Sequence, residues 1–512
     1  LAITYDAAYR LKEELESDYQ ARHDDFRKLR DFWHGRYWEQ ADAHQAGITS
    51  IFRDITRKAV DVGPDIKLVH NVLQEACVKF QTFLAPLPMI RTYVDAPESP
   101  TRRAQASRKE RFLYGTWAEN KMSRQSADIG WYLPLFGTCF SGAFPDFRSN
   151  TVKFVLRSPE HAFPVPTFDG ANLAAVMFCW QVRESWLSRE FPEYTRRSDR
   201  NKGRFRVLPK RAGSSDPEVE FLEYSDDNEW ARWADEERLN GVEHKFGFNL
   251  FDQMDFIRVP GEPWGHGAVE QIANLTEAGN ALYSLVFQAV MDNVFPAMVI
   301  ENPAMAPEVI ERGPGAVIPV NQGGRVDYLT APGSGALMGG QVLAENERMQ
   351  KQGASMPDVN FGQFNASIVT GKAINELQGA GTGSTVEMVQ GIGIGSGLVS
   401  FNEKAIFLTQ TLFRDETINL YGVRPRSATD LAPERFALTL KGKDIIGSPR
   451  NEVVFSPHMD DHSKLVMGLQ ALGAALVSKK YVREQIGIPD NDAMEEEILG
   501  EFVHDAVLGA IT

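Results

Sequence analysis

The stretch Ser384–Tyr421 constrains the fold most. It contains no proline, and as a single helix its roughly 37 residues would span roughly 55 Å. Ser384-Thr-Val-Glu387 is a capping-box pattern, with a serine hydroxyl for an early backbone N–H and a glutamate reaching back. Gly422 stands where a left-handed helix stop is expected. Gly391, Gly393, Gly395 and Gly397 fall in the first half. Each glycine costs about 1 kcal/mol against alanine in a helix interior, so together they cost about 4 kcal/mol. The apolar phase slips at the same place. Met388 and Ile392 share one face, and Phe401, Ala405, Leu408 and Leu412 another. Two readings stand: two helices with a loop between them, or one kinked helix packed against close neighbours. The preceding run, Ser355–Gly383, is polar and glycine-dotted, and it is too long for a buried connection.

A chain of 512 residues has room for more than one core. Its hydrophobic fraction of 43% and charged fraction of 24% are those of a folded globular protein. The net charge of -15 disfavours tight gripping of nucleic acid, which takes Lys and Arg on phosphates. It permits a surface past which DNA slides. Cys77, Cys139 and Cys179 are too few and too scattered for a metal or disulfide framework, so free, buried thiols in a reducing compartment are expected. The opening Leu1 suggests a trimmed or ordered portion, with no basic-then-apolar signal segment at its start. The most apolar helical stretch, around Ala281–Ile300, is broken by Asp292, Asn293 and Pro296, so no membrane span is expected.

Along the chain, helices are expected over Tyr5–Tyr37, Asp65–Phe83, Thr101–Lys121 and Gln125–Leu133. Strands are expected at Lys153–Arg157, Ala174–Val182, Arg204–Leu208 and Val219–Tyr224, with turn clusters between them. Gly267–Phe295 is a strong helix, its stripe running Ile272, Leu275, Gly279, Leu282, Val286 and Ala289. A weaker helix covers Gln341–Gln352. Between them lie short β-like runs, Met298–Glu301, Ala316–Val320 and Arg325–Leu329, with Gly323-Gly324 read as a turn. Returning strands follow at Ala437–Leu440 and Asn451–Phe455, then a helix over His462–Ser478. The fold class is α+β.

The search for chemistry yields little. Gly371-Lys372 lacks the earlier glycine and the following Ser or Thr of a phosphate loop, since Ala366 and Ala373 occupy those positions. His458, Asp460, Asp461 and His462 carry metal-ligand types, but either aspartate also makes a helix N-cap. Gly261-Glu-Pro-Trp-Gly-His-Gly267 is either a ligand loop or a turn feeding the long helix. Neither a nucleophile elbow nor an HExxH or CxxC motif occurs. No enzyme, cofactor or metal is expected.

The order of elements and several local sequences resemble the portal proteins of tailed bacteriophages. The residues are Asn71–Phe80 ahead of Pro86-Leu-Pro88, Arg157–Val165, Gly265–Ile272 leading the long helix, and Thr370–Gln378 before the second one. Thr370 stands where that family usually has Ser. The resemblance implies a wing over 1–266, stem helices over 267–297 and 341–354, and a clip over 298–340. A tunnel loop over 355–383, a tunnel helix over 384–421, returning wing strands over 422–457 and a crown over 458–512 complete the plan. It implies a homo-oligomeric ring, usually twelve-fold, at one capsid vertex of the virion, assembled in the host cytoplasm and not in a membrane. Double-stranded DNA would pass through it, and terminase, then head–tail adaptors, would dock on it beside the major capsid and scaffolding proteins. The implied positions are Gln363, Asn365, Lys372 and Asn375 facing DNA, Gly391, Gly393, Gly395 and Gly397 at a helix kink, and Val320, Asn321, Gln322 and Arg325 in the docking rim. The alternatives are a metal-dependent nuclease using His458, Asp460, Asp461 and His462, or another structural virion component.

Overall fold

The computed structural model describes residues 3–37, 68–94, 99–168, 173–192, 194, 218–294, 297–303, 320–329, 334–354, 386, 388–424 and 434–455. Helix and strand are mixed, as the α+β expectation has it. The chain divides into two compact units. One takes residues Leu1–Arg27, Cys77–Glu270 and Ser355–Thr512, and the other Lys28–Ala76 and Gln271–Ala354.

In the first unit, an antiparallel five-stranded sheet runs in chain order: β4 (Ala162–Pro166), β5 (Leu173–Arg183), β6 (Glu218–Asp226), β7 (Glu229–Ala234) and β8 (Glu237–Glu243). Helix α1 (Tyr5–Trp33) supplies Ala8, Leu11, Leu15 and Tyr19 at three- and four-residue steps. These pack on Phe163, Met177, Leu222 and Trp233 of the sheet. Among the strands, Glu223 is fully buried between Arg157 and Arg232, each at 2.8 Å, and Trp230 donates to it at 3.1 Å. Burial pushes its carboxyl up, but the two guanidiniums outweigh that and hold it below the usual range.

A three-stranded sheet, order β3 (Thr151–Arg157), β2 (Thr138–Asp146), β9 (Phe251–Asp255), carries the second core of this unit. Helix α8 (Ser396–Leu412) buries Phe401, Ala405 and Leu408 in the same core. The Phe401 ring meets Phe154 edge-on at 4.9 Å. Asn402 accepts from the Trp117 indole at 2.8 Å and donates to Asn451 at 2.9 Å, so its buried amide is matched at both ends. Strand β14 (Asn451–Val454) pairs with β1 (Met89–Thr92). The hairpin of β12 (Thr417–Arg424) and β13 (Glu434–Lys441) lies on α3 (Pro100–Glu119). Helices α2 (Val72–Leu84), α4 (Met122–Phe136) and the short α5 (Glu184–Glu190) complete the described helices named so far. Cys77 and Cys139 are buried free thiols, as expected, whereas Cys179 is free but only half-buried.

Several boundaries differ from expectation. The long helix ends at Leu412, not Tyr421, and Gly422 is no helix stop. The reason is a change of period. Thr417, Asn419 and Tyr421 are exposed while Ile418 and Leu420 are buried, which is strand alternation. Gly422 instead lies at a crossing, where a Cβ on it would stand 3.2 Å from the Gly115 Cα of α3. Strands β2, β4, β7, β8 and β9 were not expected. β2 is buried along most of its length, so it has no alternating signature, and β7 and β9 are short. Pro134 sits inside the last turn of α4, and with Gly137 at φ 81° as its cap the helix ends at Phe136, not at Leu133 as expected. The strand expected at Arg204–Leu208 and the helix at His462–Ser478 lie outside the described residues.

Candidate functional site

The second unit holds one antiparallel excursion. Helix α6 (Glu270–Val294) leads into β10 (Ala297–Pro303), β11 (Val320–Leu329) returns, and α7 (Ser334–Gly353) closes it. The periodic stripe of α6 is the seam with α7. Ile272 meets Gly353, Gln350 donates to the Leu275 carbonyl at 3.0 Å, Gly279 meets Asn346, and Val286 meets Gly339. As one index rises the other falls by the same step, so the helices run antiparallel in fixed register. The strand pairs from Ala297↔Leu329 to Glu301↔Arg325 carry nearly the same register onward. Three glycines permit this approach: a Cβ on Gly279 would lie 2.6 Å from the Asn346 side chain, one on Gly353 2.8 Å from Ile272, and one on Gly339 would overlap Val286.

The other faces of α6 are unusual. Thr276, Asn280 and Ser284 are buried; Thr276 donates to the Ile272 carbonyl at 2.9 Å, and the other two serve the backbone of residues 68–70. Asn280 accepts from the His70 N–H at 2.7 Å and Ser284 from the Leu68 N–H at 3.0 Å. On the open side stand Tyr283, Phe287 and Val290, about two-fifths exposed. Their spacing is that of a second apolar stripe. Helix α7 adds exposed Met338, Val342 and Met349, and the hairpin adds Val299 and Val320. An apolar stripe that the described residues leave exposed, beside one that is already packed, is the mark of a contact surface.

The hairpin departs from the three expected β-like runs. Val320–Leu329 is one strand, and Gly323-Gly324 is a bulge in it, not a turn. Gly323 has φ 84°, and a Cβ on Gly324 would come 2.8 Å from the Glu301 carbonyl. Ser334–Gly340, expected in the clip, is already helical. Of the rim residues, Val320 pairs with Pro303, Asn321 donates to Asn302 at 3.3 Å, and Arg325 is held by Asp327 at 2.7 Å. Val320, Asn321, Gln322 and Arg325 are all exposed.

In the first unit, the glycine-rich segment forms a seven-residue π-helix, Val389–Gly395, that runs straight into α8 without a loop. This replaces the choice between two helices and a simple kink. The glycines serve an approach to β9. A Cβ on Gly393 would overlap the Asp255 carbonyl oxygen, and one on Gly397 would overlap the Met254 side chain. Only Gly391 is exposed with open space beside it. Gln390 is buried and donates to the Phe83 carbonyl at 3.2 Å. Beneath, burial raises the Asp255 carboxyl, against hydrogen bonds from Gln253 and Thr138 that lower it.

The Gly261–Gly267 loop is packing. Trp264 is buried among Tyr19, His23, Phe26 and Phe140, and Gly265 and Gly267 lie on Gly137, where a Cβ would overlap their backbone. His266 is bonded to Glu262 at 2.6 Å and lies 3.3 Å from Glu270, which Arg22 also binds. Among the described residues no group of three His, Cys, Asp or Glu is placed to hold a metal, and no helix is long and apolar enough to cross a membrane. Gln363, Asn365, Lys372, Asn375, His458, Asp460, Asp461 and His462 lie outside the described residues.

No protein-family model and no curated protein matches the chain. Among solved structures, a chain from the neck of an empty GTA particle computed with C6 symmetry is similar at TM-score 0.46 and 11% identity, over 82% of this chain and 91% of that one. A chain from the virion of a native gene transfer agent (GTA) particle is similar at TM-score 0.43 and 10% identity, over 82% and 90%. With TM-scores below 0.5, neither likeness bears on the function of this chain.

Proposed function

We propose that the chain is the subunit of a closed ring that serves as the portal of a tailed-phage-like particle, the conduit for double-stranded DNA at one vertex of the capsid. The observation that carries this reading is the helix–hairpin–helix excursion with its outward apolar stripe. Tyr283, Phe287 and Val290 stay about two-fifths exposed among the described residues, and a partner would bury them. A two-stranded hairpin is marginal in water, and both edges of β10–β11 are unpaired among the described residues. A neighbouring copy resolves both at once: helix against helix and strand beside strand. Repeated head to tail around an axis, one such heterologous contact closes a ring. The sequence resemblance to portal proteins names the same segment as stem and clip.

In this reading the chain supplies no engine. Its net charge of -15 repels phosphate and keeps DNA moving, while amide and basic side chains at Gln363, Asn365, Lys372 and Asn375 make weak, exchangeable contacts. The rim at Val320, Asn321, Gln322 and Arg325 receives the packaging motor and later the tail adaptors. Native mass spectrometry of the full chain at near-physiological salt tests the premise. A single species of about a dozen chains supports it. A stable monomer at micromolar concentration, with the excursion folded, overturns it.

A further inference from the structure

The β12–β13 hairpin presents a second surface with its own chemistry. One side is fixed: Ile418, Leu420 and Leu440 are buried, and Gly422 lies on Gly115 of α3. The opposite side is open. Its cross-strand pairs are Thr417↔Lys441, Asn419↔Thr439, Tyr421↔Ala437 and Val423↔Arg435, and all eight residues are exposed. Tyr421 is 66% exposed near the middle. Arg435 and Lys441 stand roughly 20 Å apart along β13. Neither forms an ion pair among the described residues. The pairs themselves contain no acid. At the Lys441 end, Asp415 is bonded by Lys443 at 2.9 Å. The charges of Lys443, Arg414 and Lys441 also act on it, while Glu416 and Asp444, which accepts from the Lys441 N–H at 2.9 Å, bring the acids at that end level with the cations. The other arginines nearby are used up: Arg424 binds Glu110 and Arg111 binds Glu434, both at the edge of α3.

We infer that this hairpin face is a binding surface for single-stranded nucleic acid, with Tyr421 as a stacking platform and Arg435 and Lys441 as phosphate contacts. Three features favour this partner. Cations at two ends of a flat strip match a phosphate chain. An exposed ring between them offers a face to any base, which is how sequence-tolerant single-strand binding works. The hydroxyl and amide of Thr439 and Asn419, themselves hydrogen-bonded at 2.9 Å, give the strip polar groups without charge repulsion. On a chain of net charge -15, a strip whose own cross-strand pairs carry Arg435 and Lys441 and no acid repels a polyanion less than an acidic face would. The inference does not depend on the ring, since the face belongs to one hairpin.

The test is fluorescence anisotropy of the full chain with a labelled oligothymidylate of about 20 nucleotides at about 50 mM salt. Wild type should bind weakly and with steep salt dependence. R435E/K441E should weaken binding by roughly tenfold and flatten the salt slope, and Y421A should weaken it by about fivefold without changing the slope. All three positions are exposed, so melting temperatures should not move, and R435A/K441A serves if charge reversal disturbs folding. The inference is overturned by no binding from folded wild type, or by binding indifferent to all the hairpin variants. Binding to anionic phosphatidylglycerol vesicles that falls with the hairpin variants while oligonucleotide binding does not would overturn it too. So would a hairpin face buried between subunits of an assembled particle. Oligomeric state, measured separately on the same samples, tells failure of the ring reading from failure of this one.

Discussion

At the scale of single residues, the glycines of the π-helix are not equivalent. Gly393 lies on the Asp255 carbonyl, so a methyl group there must push helix and strand apart. Gly393→Ala should cost about 1–3 kcal/mol, the usual price of overpacking a close contact. Gly391→Ala meets open space and restricts only the unfolded chain, so it should be neutral or stabilise by up to about 1 kcal/mol. Urea unfolding of the two variants side by side checks this; equal effects would mean the contact with β9 is not what selects glycine. Glu223 makes a second residue-scale case. Its folded carboxyl is held below its ordinary value of 4.5, so its contribution is fully present above that pH and is lost as pH falls through the lower folded value. Glu223→Gln leaves Arg157 and Arg232 without a buried counter-charge and should cost about 3–5 kcal/mol at neutral pH. The variant's stability should fall less steeply than wild type below about pH 4.5, because one titrating carboxylate is gone. Parallel acid-unfolding series read that difference directly.

Among the elements, the α6–α7 pair is built on small and polar residues rather than a leucine seam. Gly279, Gly339 and Gly353 set the spacing, and Asn280 and Ser284 satisfy the backbone of residues 68–70. A pair held this way should tolerate little bulk. Gly279→Val would drive a side chain into Asn346 and Gln350 and should destabilise the pair by about 1–3 kcal/mol. Hydrogen exchange should then quicken across residues 271–294 while β2 and α8 keep their protection, since they belong to the other unit. Uniform quickening through the whole chain would contradict the division into two units.

For the whole molecule, the outward stripe of α6 decides the proposed assembly. Tyr283→Glu with Phe287→Glu changes only exposed positions, so the isolated chain should keep its far-ultraviolet circular dichroism. A charged stripe cannot be buried against a neighbour without loss of several kcal/mol, so the double variant should stay monomeric where wild type assembles. Mass photometry across a concentration series checks it. Lys372→Ala, by contrast, should leave assembly intact and reduce retention of packaged DNA in a particle, which a nuclease-protection assay reads.

The sequence determined the elements whose periodicity is strong and one-sided. The stripe Ile272–Ala289 gave α6 and, read correctly, its seam with α7. Alternation marked β3, β5 and β6, and charge and scattered cysteines set the expectations about metals and disulfides. The tertiary structure decided what local pattern leaves ambiguous. Whether Thr417–Tyr421 continues a helix or turns into a strand depends on α3, whose Gly115 receives that strand. Whether alternate glycines mean a kink, a loop or a close approach depends on the Asp255 carbonyl, a group more than 130 positions earlier in the chain, by roughly the spacing that a folded contact hides from any local window. Strands buried on both faces, such as β2, carry no alternation to read, and the outward stripe of α6 becomes visible only once the inward one is filled. Local periodicity reports which side chains a segment would like to bury; only the packed neighbours determine which of those faces are already taken.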